Sequence, residues 1–213
     1  MIVVVDYGMG NLRSVSKALE SLGASVRVSG NPADVVQASK LILPGVGAFP
    51  AAMQELNRRG LVEPIKAHVA AGTPYLGICL GLQLLFEESE EGEGANGLAI
   101  LPGCVRRFTP DPATPLKIPH MGWNQVISRQ PSAVSRQQTT ACPLLKGLPS
   151  GSFFYFVHSY YAQPADRSVV SLETDYGVRF AAMVWRQNLY ATQFHPEKSQ
   201  AVGLRLLKNF IEL

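Results

Sequence analysis

The run Pro74-Tyr75-Leu76-Gly77-Ile78-Cys79-Leu80-Gly81-Leu82-Gln83-Leu84-Leu85-Phe86 decides the fold. An apolar stretch stops at Cys79 and a helix-like pattern starts at once, so strand and helix meet without a loop. Glycines stand two residues before and two residues after the thiol, where side chains would collide in so sharp a turn. Such a junction holds its central side chain out at the end of a sheet, and it belongs to a layered α/β architecture.

Working outward, the same rhythm repeats. The apolar Ile2, Val3, Val4 and Val5 precede a helical pattern over 11–22. Further strands are expected at 26–28, 41–43 and 75–78, with helical patterns at 32–38, 49–58 and 61–71 between them. That spacing predicts right-handed crossovers over a parallel, doubly wound sheet. Beyond Gly97 the texture changes to short strand-like runs at 105–108, 125–127, 153–157, 169–174, 181–185 and 189–193. Helical spacing returns only in 201–213, where Val202, Leu206, Phe210 and Leu213 would dock on the sheet. Residues 130–141, rich in Ser, Gln and Thr, read as a solvent loop. The expected fold is therefore α/β: a mostly parallel central sheet flanked by helices, with antiparallel strands added in the C-terminal half. The 213 residues are read as a single domain, 1–213.

Composition narrows the partners. The 19 basic and 16 acidic residues are scattered, giving a formal charge of +3 and no basic block of the kind that grips nucleic acid. Met1 to Val5 is apolar, but it lacks a basic flank and meets Asp6, so it reads as a buried strand rather than a leader. No segment has the length of a membrane span. Cys79, Cys104 and Cys142 are too few and too unevenly spaced for a disulfide framework or a zinc site, which suits a reducing cytoplasm. Cys104 is expected in the core, Cys142 in a surface loop, and His68 on a solvated helix face.

Three stretches carry chemistry. The first is the Cys79 junction, whose bland alternative is a buried structural cysteine. The second is Pro44-Gly45-Val46-Gly47, which follows an apolar strand and precedes a helix. It either permits a tight bend or lends a backbone N–H to an oxyanion hole, with the Leu80 N–H as the second donor. Without a Gly-Lys-Ser/Thr ending it is not a phosphate loop. The third is Phe194-His195-Pro196-Glu197, in which proline favours extended geometry at His195 and lets Glu197 accept from the imidazole. His195 would take the proton of Cys79, whose thiolate is also favoured at a helix N-terminus. Cysteine, histidine and glutamate in these settings predict acyl transfer.

Together these three stretches resemble the class I, or triad, glutamine amidotransferase family over essentially the whole chain. The resemblance implies a flavodoxin-like fold and a triad of Cys79, His195 and Glu197, with Val46 and Leu80 N–H groups holding the oxyanion. It also implies that Gly47, Gln83, Ser159 and Tyr160 contact glutamine, and that Glu91 meets its amino group. No cofactor and no metal are implied. Asp6-Tyr7-Gly8-Met9-Gly10-Asn11-Leu12, Pro119-His120-Met121-Gly122-Trp123-Asn124, Val157-His158-Ser159-Tyr160 and His195-Pro196-Glu197-Lys198-Ser199 are similar to those members that feed ammonia to a (β/α)8 cyclase in histidine biosynthesis. In such a heterodimer Asn11, His120, Met121, Trp123 and Lys198 are expected to face the cyclase, with Trp123 exposed in a turn. The peptide before Val46 is expected to reorient when the partner is ready. The alternatives are a glutaminase of anthranilate, aminodeoxychorismate or pyridoxal phosphate synthesis, a glutamine-binding scaffold without catalysis, or a cysteine peptidase or esterase.

Overall fold

A computed structural model describes residues 1–92, 94–109, 116–128 and 142–213. The solvent loop expected at 130–141 lies outside the described residues. The first half runs β1 (Ile2–Val5), α1 (Leu12–Ser21), β2 (Val26–Ser29), α2 (Pro32–Gln37), β3 (Lys40–Gly45), α3 (Phe49–Arg58), α4 (Val62–Ala70), β4 (Tyr75–Cys79) and α5 (Leu80–Gln83). The second half is mostly strand: β5 (Glu88–Ser89), β6 (Ala95–Asn96), β7 (Gly103–Arg107), β8 (His120–Gln125), β9 (Ile127–Ser128), β10 (Phe153–His158), β11 (Tyr160–Pro164), β12 (Val170–Asp175), β13 (Arg179–Arg186) and β14 (Leu189–Thr192), before α6 (Gln200–Ile211).

Strand order in the main sheet is β2-β1-β3-β4-β14-β13-β12-β9. The first five of these pair in parallel, and the pairings from β14 through β13 and β12 to β9 are antiparallel. Parallel strands are covered on both faces, which is why their sequences are continuous apolar runs rather than alternations. Val3, Val5 and Leu43 pack with Val35, Phe49, Leu56 and Ile65 of α2, α3 and α4 on one face. Ile2, Val4, Ile42 and Leu76 pack with Val15 and Leu19 of α1 and with Leu206, Leu207 and Phe210 of α6 on the other. Two smaller sheets, β10-β8 and β11-β7-β5-β6, complete the C-terminal half. Among the described residues no helix is long and apolar enough to cross a membrane.

Local chemistry sets the helix starts. Asn11 caps α1 by accepting from the Ser14 N–H at 3.4 Å, and Asn31 caps α2 by accepting from the Ala33 N–H at 3.0 Å. Helix α5 is shorter than the leucine-rich pattern through Phe86 suggests. The Leu98 N–H takes the Leu84 carbonyl, and the Ile100 and Leu101 N–H groups take that of Leu85, so a following loop replaces the next helical turn. The strand expected at 125–127 is the junction of β8 and β9 instead, and β11 is a strand that apolar patterning did not predict.

Three side chains depart from expectation. His68 is buried, its Nε2 3.2 Å from the Pro74 carbonyl, because α4 turns that face onto the start of β4. The two spare cysteines exchange roles. Cys142 is buried with Leu144 and Phe154, and burial pushes its thiol up to about 12, whereas Cys104 is part-exposed on β7.

Candidate active site

Strands β3 and β4 lie side by side with Gly45 opposite Cys79, so both chains leave the sheet at the same edge. Cys79 has φ 56° and ψ −107°, a conformation that side chains rarely adopt and that stores about 1–3 kcal/mol of strain. Close packing enforces it. A Cβ at Gly81 would lie 1.9 Å from the Leu43 carbonyl oxygen, and one at Gly77 would lie 2.5 Å from the Gly81 oxygen. The facing turn is equally dependent on glycine at Gly47, whose φ is 105°. Beneath that turn Tyr7 is fully buried, its hydroxyl without a hydrogen-bond partner among the described residues.

His195 arrives from the neighbouring strand. Its backbone N–H donates to the Tyr155 carbonyl at 2.9 Å, and its own carbonyl accepts from the Ser199 hydroxyl at 2.6 Å, which fixes the loop after β14. Pro196–Lys198 form a single tight turn that returns Glu197 to the ring. Nδ1 lies 2.8 Å from Glu197 Oε1, with both side chains almost completely buried. A carboxylate accepts only, so Nδ1 carries the hydrogen, and Nε2 is buried with no hydrogen-bond partner among the described residues. Burial opposes the imidazolium most strongly, but the charges of Cys79 and Glu197 together outweigh it and raise the histidine to about 10.

A cavity of about 340 Å³ opens over the sulfur, and Val46, Gly47, Leu80, Gln83, Glu91, Ser159 and Tyr160 all line it. A larger cavity of about 450 Å³, lined by Lys66, Arg186 and Asn188, sits at the opposite ends of β4 and β14, with no cysteine or histidine among its described lining residues. Two lining residues have structural duties as well. Glu91 Oε2 accepts from the Phe49 N–H at 2.7 Å at the start of α3. Gln83 Nε2 donates to the Tyr160 carbonyl at 2.9 Å and to Gln193 Oε1 at 3.1 Å, so its amide hydrogens are directed into the protein. Among the described residues no group of three or more His, Cys, Asp or Glu could hold a metal ion.

The residues expected to face a partner separate. Met121 and Trp123 are exposed at 66% and 46%, on one face of β8 with Trp123 opposite Tyr155. Trp123 thus lies in a strand and not in a turn. Lys198 is exposed, its Nζ 5.7 Å from the Tyr155 ring centre. Asn11 caps α1. The His120 side chain is a correction: strand alternation turns it inward, where it stacks between Tyr176 and Phe156. Gln193 was missed as a site residue. Its signal was present, since it precedes His195 by two positions in an extended run and period-two alternation puts both on one side.

The comparisons with known proteins follow this geometry. The family model for glutamine amidotransferase class-I matches residues 3–213. A protein of Syntrophotalea carbinolica named imidazole glycerol phosphate synthase subunit HisH is 57% identical, covering 99% of this chain and 98% of its own. The proteins of the same name from Moorella thermoacetica and Geobacter metallireducens are 51% and 49% identical, covering 100% and 98% of this chain and 94% and 96% of their own. Among solved structures, a glutamine amidotransferase aligns with TM-score 0.73 at 20% identity, over 100% of this chain and 98% of that one. PurLQS from Thermotoga maritima aligns with TM-score 0.70 at 19% identity, over 99% and 95%. At such identities the structural likeness speaks for the fold.

Proposed function

The chain belongs to the class-I glutamine amidotransferase family, and we propose that it is the glutaminase subunit of imidazole glycerol phosphate synthase. It hydrolyses glutamine to glutamate and ammonia, and it passes the ammonia to a (β/α)8 cyclase subunit in histidine biosynthesis. Residues 1–213 act as one glutaminase domain. The observation that carries the reading is the buried 2.8 Å contact between His195 and Glu197, beside a thiol held at a strained strand-to-helix junction over a lined cavity.

The reaction proceeds in two halves. The Cys79 sulfur attacks the side-chain carboxamide carbon, and the carbonyl electron pair moves to oxygen, where the Val46 and Leu80 N–H groups receive it. His195 gives its Nε2 proton to the departing nitrogen, so ammonia leaves and a thioester remains. Water then adds to the thioester as His195 takes its proton, and collapse releases glutamate and expels the Cys79 thiolate, which leaves the proton on His195 and restores the starting pair. Glu197 holds the imidazole in the required tautomer throughout. Gly47, Ser159 and Tyr160 contact the glutamine backbone groups, Gln83 forms the cavity wall beside its amide, and Glu91 meets its ammonium.

The partner accounts for what hydrolysis does not use. Exposed Met121, Trp123 and Lys198, with part-exposed Tyr155 between them, form an aromatic and basic face that borders the cavity through β10, and Asn11 extends the contact. Glutamate release should be slow for the chain alone. It should rise when the cyclase and its ribonucleotide ligand are added. Stimulation by a different pathway's barrel, or none by this cyclase, would redirect the assignment to another amidotransferase.

A further inference from the structure

The Cys79 sulfur has a neighbour outside the Cys-His-Glu set. Gln193 is completely buried, and its Nε2 lies 3.7 Å from that sulfur, within reach of an N–H···S hydrogen bond. Its orientation is dictated from the far side of the cavity wall. The Tyr160 carbonyl, which can only accept, lies 2.9 Å from one end of the Gln83 amide, so that end is Nε2. The same Nε2 lies 3.1 Å from the Gln193 amide, which must present oxygen to it. The group left facing Cys79 is therefore NH2.

The anchor is itself anchored. His158 Nδ1 donates to the same Tyr160 carbonyl at 2.8 Å, which makes its Nε2 an acceptor for His120 Nδ1 at 2.9 Å. His120 Nε2 accepts in turn from Asn124 Nδ2 at 3.2 Å, and Asn124 is oriented by the Gln125 N–H at 2.8 Å and the Asp175 carbonyl at 2.9 Å. Burial holds both rings neutral, lowering His120 to about 4 and His158 to about 3. Every link from β8 to the sulfur pairs one donor with one acceptor, so the Gln193 amide cannot turn over without breaking the chain.

We infer that Gln193 is a further catalytic residue, donating its amide N–H to the Cys79 sulfur and thereby favouring the thiolate that attacks. The inference rests on Cys79 being the nucleophile. A thiol sulfur is a weak acceptor and a thiolate a strong one, so a fixed donor stabilises the anion selectively.

The test is the pH profile of Cys79 alkylation by iodoacetamide in the complex with the cyclase, read at that residue by mass spectrometry. Gln193→Met keeps the length of the side chain without a donor, and Gln193→Leu removes the donor in a shorter apolar side chain, so neither adds a charge beside the sulfur. In whichever variant folds, alkylation near neutral pH should slow about tenfold or more and the profile should move to higher pH, the loss of one charge-assisted hydrogen bond. A profile superimposable on that of the wild type would overturn the inference, as would failure of both variants to fold, which would make the amide purely structural. If wild-type Cys79 resists alkylation at every pH, the nucleophile assignment falls with it.

Discussion

At the scale of single residues, the site depends on where atoms are absent. With the Leu43 oxygen only 1.9 Å from the place of a Gly81 Cβ, Gly81→Ala must push β3 from β4 or unbend the junction at Cys79. We expect it to lower stability by about 1–3 kcal/mol in urea unfolding and to remove selective labelling of Cys79 in the molecules that still fold. The histidine makes a different prediction. Its folded value near 10 exceeds the ordinary 6.5, so its contribution to stability is complete below about 6.5 and is lost as pH rises through about 10. Glu197→Gln removes one of the charges responsible, and the alkaline fall in melting temperature should begin at lower pH. Glutaminase activity should drop on the order of 10²- to 10⁴-fold in the same variant, because an amide supports the imidazolium poorly.

At the scale of elements, the β8 and β10 ladder holds the opposite pH dependence. Burial keeps His120 and His158 well below 6.5, so the unfolded chain binds more protons than the folded one as pH falls below that value. Stability should decline on the acid side through this window, and His120→Phe should flatten the decline in thermal unfolding measured at successive pH values. The same ladder shows what a sequence conceals. Strands β1, β3 and β4 were legible because apolar residues run on rather than alternate in a sheet buried on both faces, as Ile-Val-Val-Val in β1, Leu-Ile-Leu in β3 and Tyr-Leu-Gly-Ile in β4. Strand β8 reads His-Met-Gly-Trp-Asn-Gln, without a β-branched residue, and its extended form comes from pairing with β10. Trp123 therefore looked like a turn residue, and inward-facing His120 looked like a surface one. The cysteine and histidine of the site announced themselves through glycine and proline spacing. The amide of Gln193 signalled itself only by standing two positions before His195, and its contact with Cys79 joins positions 114 apart.

At the scale of the whole molecule, a parallel sheet brings the ends of β3 and β4 and the segment after β14 to one edge, where the turn after β3 and residues of β10 and β11 line one cavity with Cys79. The aromatic face of β8 and β10 borders that edge. Trp123→Ala should weaken binding to the cyclase on the order of tenfold in calorimetric titration, with the melting temperature of the free chain unchanged. On the proposed reading, the nearness of this face to the cavity would give ammonia a short exit toward the partner. The most direct measurement is therefore product formation by the cyclase complex carrying Cys79→Ala, supplied in parallel with glutamine and with ammonium salt. Synthesis from glutamine should vanish while synthesis from ammonia stays near the wild-type rate; loss of both, or survival of both, would contradict the account.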